Sequence, residues 1–355
     1  MRTLLKQKSP LSFENYMNTV LYHPTLGYYS KFSPKIGKEG DFITAPELTP
    51  LFTRTLGKQF KELLNPLKTR QILELGAGTG AFAEDLLQYF SEENFRIDDY
   101  FILELSAGLR TQQEARLKSL KAPLQWLNTL PKNLSGLIFG NEVLDAMPVH
   151  RFIKRQGQCV EQSVILNDSL ELSFGTLPAS PQVETQVRSL ESRLGKFPEG
   201  YCSEINLWIR PFLNSLADSL EKGAILLVDY GYPESVYYQA SRRQGTLCCY
   251  HKHQMNTDPL LLPGEQDLTA HVNFTEVAEA GLKAGLTLEG YTTQAFFLAN
   301  LGIENTDQDP ETSQKLRRLL HPESMGEIFK VIGFSKNFPE TPWKGFQIGD
   351  QRFRL

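Results

Sequence analysis

The run Gln71-Ile72-Leu73-Glu74-Leu75-Gly76-Ala77-Gly78-Thr79-Gly80-Ala81-Phe82 constrains this chain more than any other segment. In it, an apolar strand passes through glycines at alternate positions into a helix. Glycine tolerates left-handed backbone angles and close approach to a ligand, and the first turn of the following helix offers unpaired N–H groups. The spacing is G-x-G-x-G rather than the G-x-G-x-x-G of dinucleotide sites, and Glu74 stands two positions before the first glycine. A carboxylate at that turn suits a cofactor with a positive amino group and a sulfonium, which points to S-adenosylmethionine. The alternative is a purely structural turn, for which one glycine would serve.

The surrounding pattern extends the strand–turn–helix unit. Apolar runs at Tyr100 to Leu105, Leu124 to Leu127, Gly136 to Gly140 and Ala224 to Val228 alternate with helical periodicity at 51–64, 81–90 and 106–120. That alternation predicts an α/β fold with a mostly parallel sheet covered on both faces, its ligand at the carboxyl ends of the strands. Those ends are Gly76, Glu104, Asn141 and Asp229. Near the N-terminus, Leu11 to Leu21 reads as a short helix capped by Ser12. Short strand-like runs within 149–174 suggest an antiparallel insert, 178–200 reads as a polar and mobile stretch, and 304–310 as a loose loop. The last strands are expected at 286–295 and 328–334. The expected division is an N-terminal helical lid region at 1–64, core at 65–148, an insert at 149–203, core at 204–231, a second insert at 232–285 and C-terminal core strands at 286–355.

A net charge of -4 and the lack of any basic block argue against nucleic acid as an obligatory partner. The four cysteines have no zinc-site spacing, Tyr250-His251-Lys252-His253 lacks further ligands, and no metal is expected. Met1 to Pro10 has neither an apolar signal region nor a transit-peptide composition, and no run reaches membrane-spanning length, so the expected location is the cytoplasm.

Glu104, at the end of the second strand, is placed to accept both hydroxyls of a ribose, a role that a dehydrogenase would share. A helix-capping role is its alternative. Asn141-Glu142-Val143-Leu144-Asp145 begins where the fourth strand ends. If the methyl acceptor is a guanidinium, carboxylates are needed to orient it. Glu142, Asp145, Glu204 and Asp229 are the candidates, although Asp145 could instead cap a helix and Glu204 could sit in a helix's first turn. The loop Gly40-Asp41-Phe42-Ile43-Thr44-Ala45-Pro46-Glu47 could be a lid or a linker. His271 could be a base or a hydrogen-bonded structural histidine.

The GDFITAPE loop at 40–47, Leu73 to Gly80, NEVLDAMP at 141–148, Val228 to Gly231, GEQDLTAHVNF at 264–274 and MGEIFK at 325–330 together resemble the MidA family of class I S-adenosylmethionine-dependent methyltransferases. The resemblance implies a Rossmann-like core with a seven-stranded sheet, an N-terminal helical lid and inserts that build an acceptor cleft. It implies that Phe42, Thr44, Glu74, Gly76, Gly78, Gly80, Glu104 and Asn141 hold the cofactor, and that Glu142, Asp145 and Glu204 orient the acceptor. Mitochondrial members resemble protein-arginine methyltransferases that act on a subunit of respiratory complex I, which implies a protein arginine as acceptor. A small-molecule or O-methyltransferase and a non-catalytic assembly factor stay open. The chain departs from the family pattern at Ala77, where proline is frequent, at Thr79, often arginine, and at Asn273, more usually aspartate.

Overall fold

The computed structural model describes residues 1–30, 40–41, 43–303 and 309–355. Phe42 and most of the 304–310 loop lie outside the described residues.

Seven strands form the central sheet: β1 (Gln71–Leu75), β2 (Asp99–Leu103), β3 (Leu124–Leu127), β4 (Leu134–Asn141), β5 (Leu220–Tyr232), β6 (Thr287–Thr293) and β7 (Phe329–Lys336). Their order is β6-β7-β5-β4-β1-β2-β3. Strands β1 to β5 run parallel, and β7 enters antiparallel between β5 and β6. The pair Val272–Asn273 extends the sheet beside the end of β5. Because successive strand residues face opposite sides, Ile72, Leu137 and Phe139 pack with Phe60 and Phe82 on one face. Leu73, Ile138 and Ile225 pack with Leu213 and Val277 on the other. The expected α/β architecture is present, with helices on both faces.

Five helices matter for the site: α1 (Phe13–Tyr22), α2 (Pro50–Leu64), α3 (Ala81–Glu92), α4 (Ala107–Leu117) and α5 (Ile209–Ser219). Ser12 caps α1 by accepting the N–H of Asn15, as its sequence position suggested.

A second, antiparallel sheet joins Leu11–Ser12, His150–Arg155, Gln158–Leu166, Leu172–Pro178 and Cys202–Ile205. A third joins Cys248–His251, Gln254–Asn256 and Asp267–Thr269. Two expectations fail here. The stretch read as polar and mobile contains the helix Pro181–Leu194, capped by Ser180 and buried along Val183, Val187 and Leu190. Glu204 stands on the strand Cys202–Ile205, not in a helical turn, because that segment pairs with His150–Arg155. No described helix is long and apolar enough to cross a membrane.

Candidate active site

The glycine turn is set by backbone angles that other residues adopt only at a cost. Gly76 and Gly78 have φ of +59° and +55°. Gly80, at φ +87°, precedes α3 and accepts the N–H of Glu84 at 3.0 Å to begin that helix. The turn opens into a cavity of about 760 Å³ at the carboxyl ends of β1, β2 and β4, between them and α1 and α5. Gly76, Gly78, Glu74, Glu104, Asn141 and Glu142 all reach its wall, as does Thr44. Gly80 does not; it shapes the turn from behind, where an added Cβ would meet Gln113 at 3.5 Å.

Segment 44–48 is fixed to this turn. Thr44 precedes the short helix Ala45–Leu48, and the Glu47 carboxylate accepts the Thr79 hydroxyl and an Arg116 N–H at 3.2 Å. Arg116 also donates to Thr79 at 2.9 Å and to Glu84 at 2.7 Å. Thr79 therefore belongs to a carboxylate–guanidinium network.

Two carboxylates stand on the wall beside the glycine turn. Burial pushes Glu74 up to about 8, even though it accepts the Tyr100 hydroxyl at 2.8 Å. Glu104 is also raised by burial; it accepts the Ser106 N–H at 2.8 Å and a Gln113 amide N–H at 2.9 Å. Sequence reasoning missed Gln113. Its signal is a polar residue on a buried stripe, because Leu109, Gln113 and Leu117 are the buried residues of α4, spaced four apart.

Beyond the glycine turn the wall becomes the NEVLDAMP turn, which the Asp229 carboxylate shapes. One Asp229 oxygen accepts the N–H groups of Val143, Leu144 and Asp145, and the other accepts that of Tyr230. Glu142 consequently sits at φ +54°, an angle that strains a residue with a Cβ. Its carboxylate accepts the Asn141 amide at 2.9 Å, and burial, then the nearby Asp145 charge, pushes it up to about 8. Asn141 Oδ1 is buried with no hydrogen-bond partner among the described residues. The cavity wall thus carries two carboxylates beside the glycine turn and a strained one beyond, groups that suit a cationic ligand.

Asp145 lies behind this wall rather than on it, and it opens no helix. It accepts the Tyr230 hydroxyl and is raised to about 6, with burial the main cause. Asp267, bonded to Tyr29 at 3.0 Å, is raised by burial to about 8. His271 is half-buried, bonded through Nδ1 to the Thr246 carbonyl at 3.2 Å and stacked on Tyr232, and desolvation lowers it to about 4. Asn273 caps the helix Phe274–Lys283 through its side-chain oxygen.

Glu204 is not part of the site's wall, for a clear reason. It is 1% exposed and accepts from Arg151 Nε at 3.2 Å and from the N–H and hydroxyl of Thr246. It does hold a guanidinium, but one of the protein's own. Glu204→Gln should lower stability by roughly 3 kcal/mol by leaving Arg151 without its countercharge. Urea unfolding measures that, and an unchanged midpoint would disprove the pairing.

The raised carboxyls also set a pH dependence. Glu74, Glu142 and Asp267 titrate near pH 8 when folded and near 4 when unfolded, so between those values the native state binds more protons and stability falls as pH rises. His271 acts oppositely, but only below its ordinary value of 6.5. The melting temperature of the cofactor-free protein should therefore decline between pH 6.5 and 8. A flat or rising curve in scanning calorimetry would contradict this.

Residues 51–292 match the family model described as "Putative S-adenosyl-L-methionine-dependent methyltransferase". The chain belongs to this family, the MidA methyltransferases. The Caenorhabditis elegans "Protein arginine methyltransferase NDUFAF7 homolog, mitochondrial" is 30% identical over 349 residues, covering 89% of this chain and 76% of that protein. The human "Protein arginine methyltransferase NDUFAF7, mitochondrial" is 28% identical over 92% of this chain and 80% of its own length. A Burkholderia thailandensis crystal structure bound to S-adenosyl-homocysteine superposes with a TM-score of 0.92 at 36% identity, covering 100% of this chain and 95% of that one. The fold is that of class I methyltransferases, and the methyltransferase's cofactor is S-adenosylmethionine.

Proposed function

We propose that this methyltransferase transfers a methyl group to an arginine side chain of a protein acceptor. The observation that carries the reading is Glu142, a carboxylate held at φ +54° on the cavity wall just past the glycine turn. Strain of this kind persists where the surrounding structure demands it, and a carboxylate pairs naturally with a guanidinium. The names of the relatives support the same class of acceptor.

In this reading Gly76 and Gly78 admit the methionine moiety, Glu74 meets its amino group, Glu104 holds the ribose, and Thr44 and Asn141 complete the cradle. The bound cofactor supplies an electrophilic methyl carried on a sulfonium. The chain's task is alignment, turning a bimolecular encounter into a near-attack geometry. Glu142 orients the guanidinium and accepts the proton its methylated nitrogen sheds. Asp229 and Asp145 support that turn from behind.

Incubation with labelled S-adenosylmethionine and a set of arginine, lysine and small-molecule acceptors tests the proposal, with a complex I subunit as the first protein acceptor. Label should enter arginine. Label only in small molecules would favour the O-methyltransferase reading, and donor binding without turnover would favour an assembly factor; either overturns the proposal.

A further inference from the structure

Gln113 has no part in the methyl transfer just described, yet it joins the two halves of the cofactor site. It is fully buried on α4. The Trp126 indole N–H can only donate, so its 3.0 Å contact fixes Gln113 Oε1 toward Trp126. The amide nitrogen must then face the other way, and it donates at 2.8 Å to the Gly78 carbonyl and at 2.9 Å to Glu104 Oε2. Both of its N–H groups are used. The other oxygen of Glu104 is held by the Ser106 N–H, and the Leu105 N–H also donates to the carboxylate, so Gln113 is its one side-chain donor among the described residues.

We infer that Gln113 is a positioning residue: it locks the Glu104 carboxylate against the glycine turn and thereby sets the enzyme's selectivity for an intact ribose diol. This rests on the reading that Glu104 holds the ribose. Without the amide, Glu104 keeps only its backbone donors and meets the two hydroxyls in the bidentate orientation only part of the time. Gln113 therefore acts on discrimination between sugars more than on binding as such. Trp126 anchors the amide from the far side, which makes β3 part of the device although it has no role on the cavity wall.

The test is calorimetric titration of the full chain with S-adenosylhomocysteine and with its 2′-deoxyribose analogue. The wild type should prefer the ribose form by roughly 10- to 100-fold, the range for a hydrogen bond to a charged group. In Gln113→Met, close in size but without the amide, the preference should fall to about threefold or less, because an unlocked carboxylate forfeits most of that bond. A merely structural role would weaken both ligands equally, and an unchanged ratio would overturn the inference. Should Gln113→Met fail to fold, Trp126→Phe decides: freeing Oε1 should reduce the ratio at least twofold, whereas an undiminished ratio overturns the proposal. No preference in the wild type would show that Glu104 does not hold the ribose. Preference in the wild type retained by both variants would spare Glu104 and reject Gln113 alone.

Discussion

Gly78→Arg is expected to weaken S-adenosylhomocysteine binding by more than about a thousand-fold, or about 4 kcal/mol. Gly78 lies on the cavity wall with φ +55°, so the substitution has two effects. A side chain in left-handed backbone costs about 1–2 kcal/mol of stability, and the long arginine side chain then fills the space beside the turn that the ligand needs. Gly157 separates the two. It has φ +74° in the turn between Arg155 and Gln158, and an added Cβ there meets nothing within 4 Å. Gly157→Arg should lose comparable stability and keep full cofactor affinity. Equal affinities in the two variants, by isothermal titration, would remove the cofactor from the glycine turn.

For Glu142→Gln the expected loss is about 10²- to 10³-fold in kcat/KM for an arginine peptide, the range for removing one partner of a buried, hydrogen-bonded charge pair. Cofactor affinity should stay within about threefold, because the amide keeps the side chain's shape and lies beyond the glycine turn. The pH profile provides an independent check. A guanidinium stays charged throughout, so only ionised Glu142 pairs with it, and burial raises this group to about 8. The wild-type kcat/KM should therefore rise as pH approaches 8 and level off above it, and the variant should lose that limb. Full activity in Glu142→Gln would withdraw this residue from the acceptor site.

Much of the architecture was readable because its signals are local. The strands β1 to β5 are apolar runs whose ends carry glycine or a polar residue, and Ser12 caps α1 from within the turn it begins. The helix Pro181–Leu194 was missed for an equally physical reason. Its buried stripe is narrow, Val183, Val187 and Leu190 with Glu191 beside them, and the remaining surface is polar, so its composition resembles that of a loop. Gln113 escaped because a glutamine among leucines carries no motif; its meaning comes from Trp126, Gly78 and Glu104 converging on it.

The sequence by itself determined the cofactor class, since an acidic residue, three glycines and the strand and helix around them lie within one short stretch whose geometry depends on immediate neighbours. The tertiary structure alone decided which carboxylates face the cavity. Glu142, Asp145 and Glu204 are chemically alike, but Asp229 bends the first to the wall, Tyr230 holds the second behind it, and Arg151 claims the third. Those partners are at least 53 residues away in the chain, and only folding brings them to these carboxylates or to the turn that carries them.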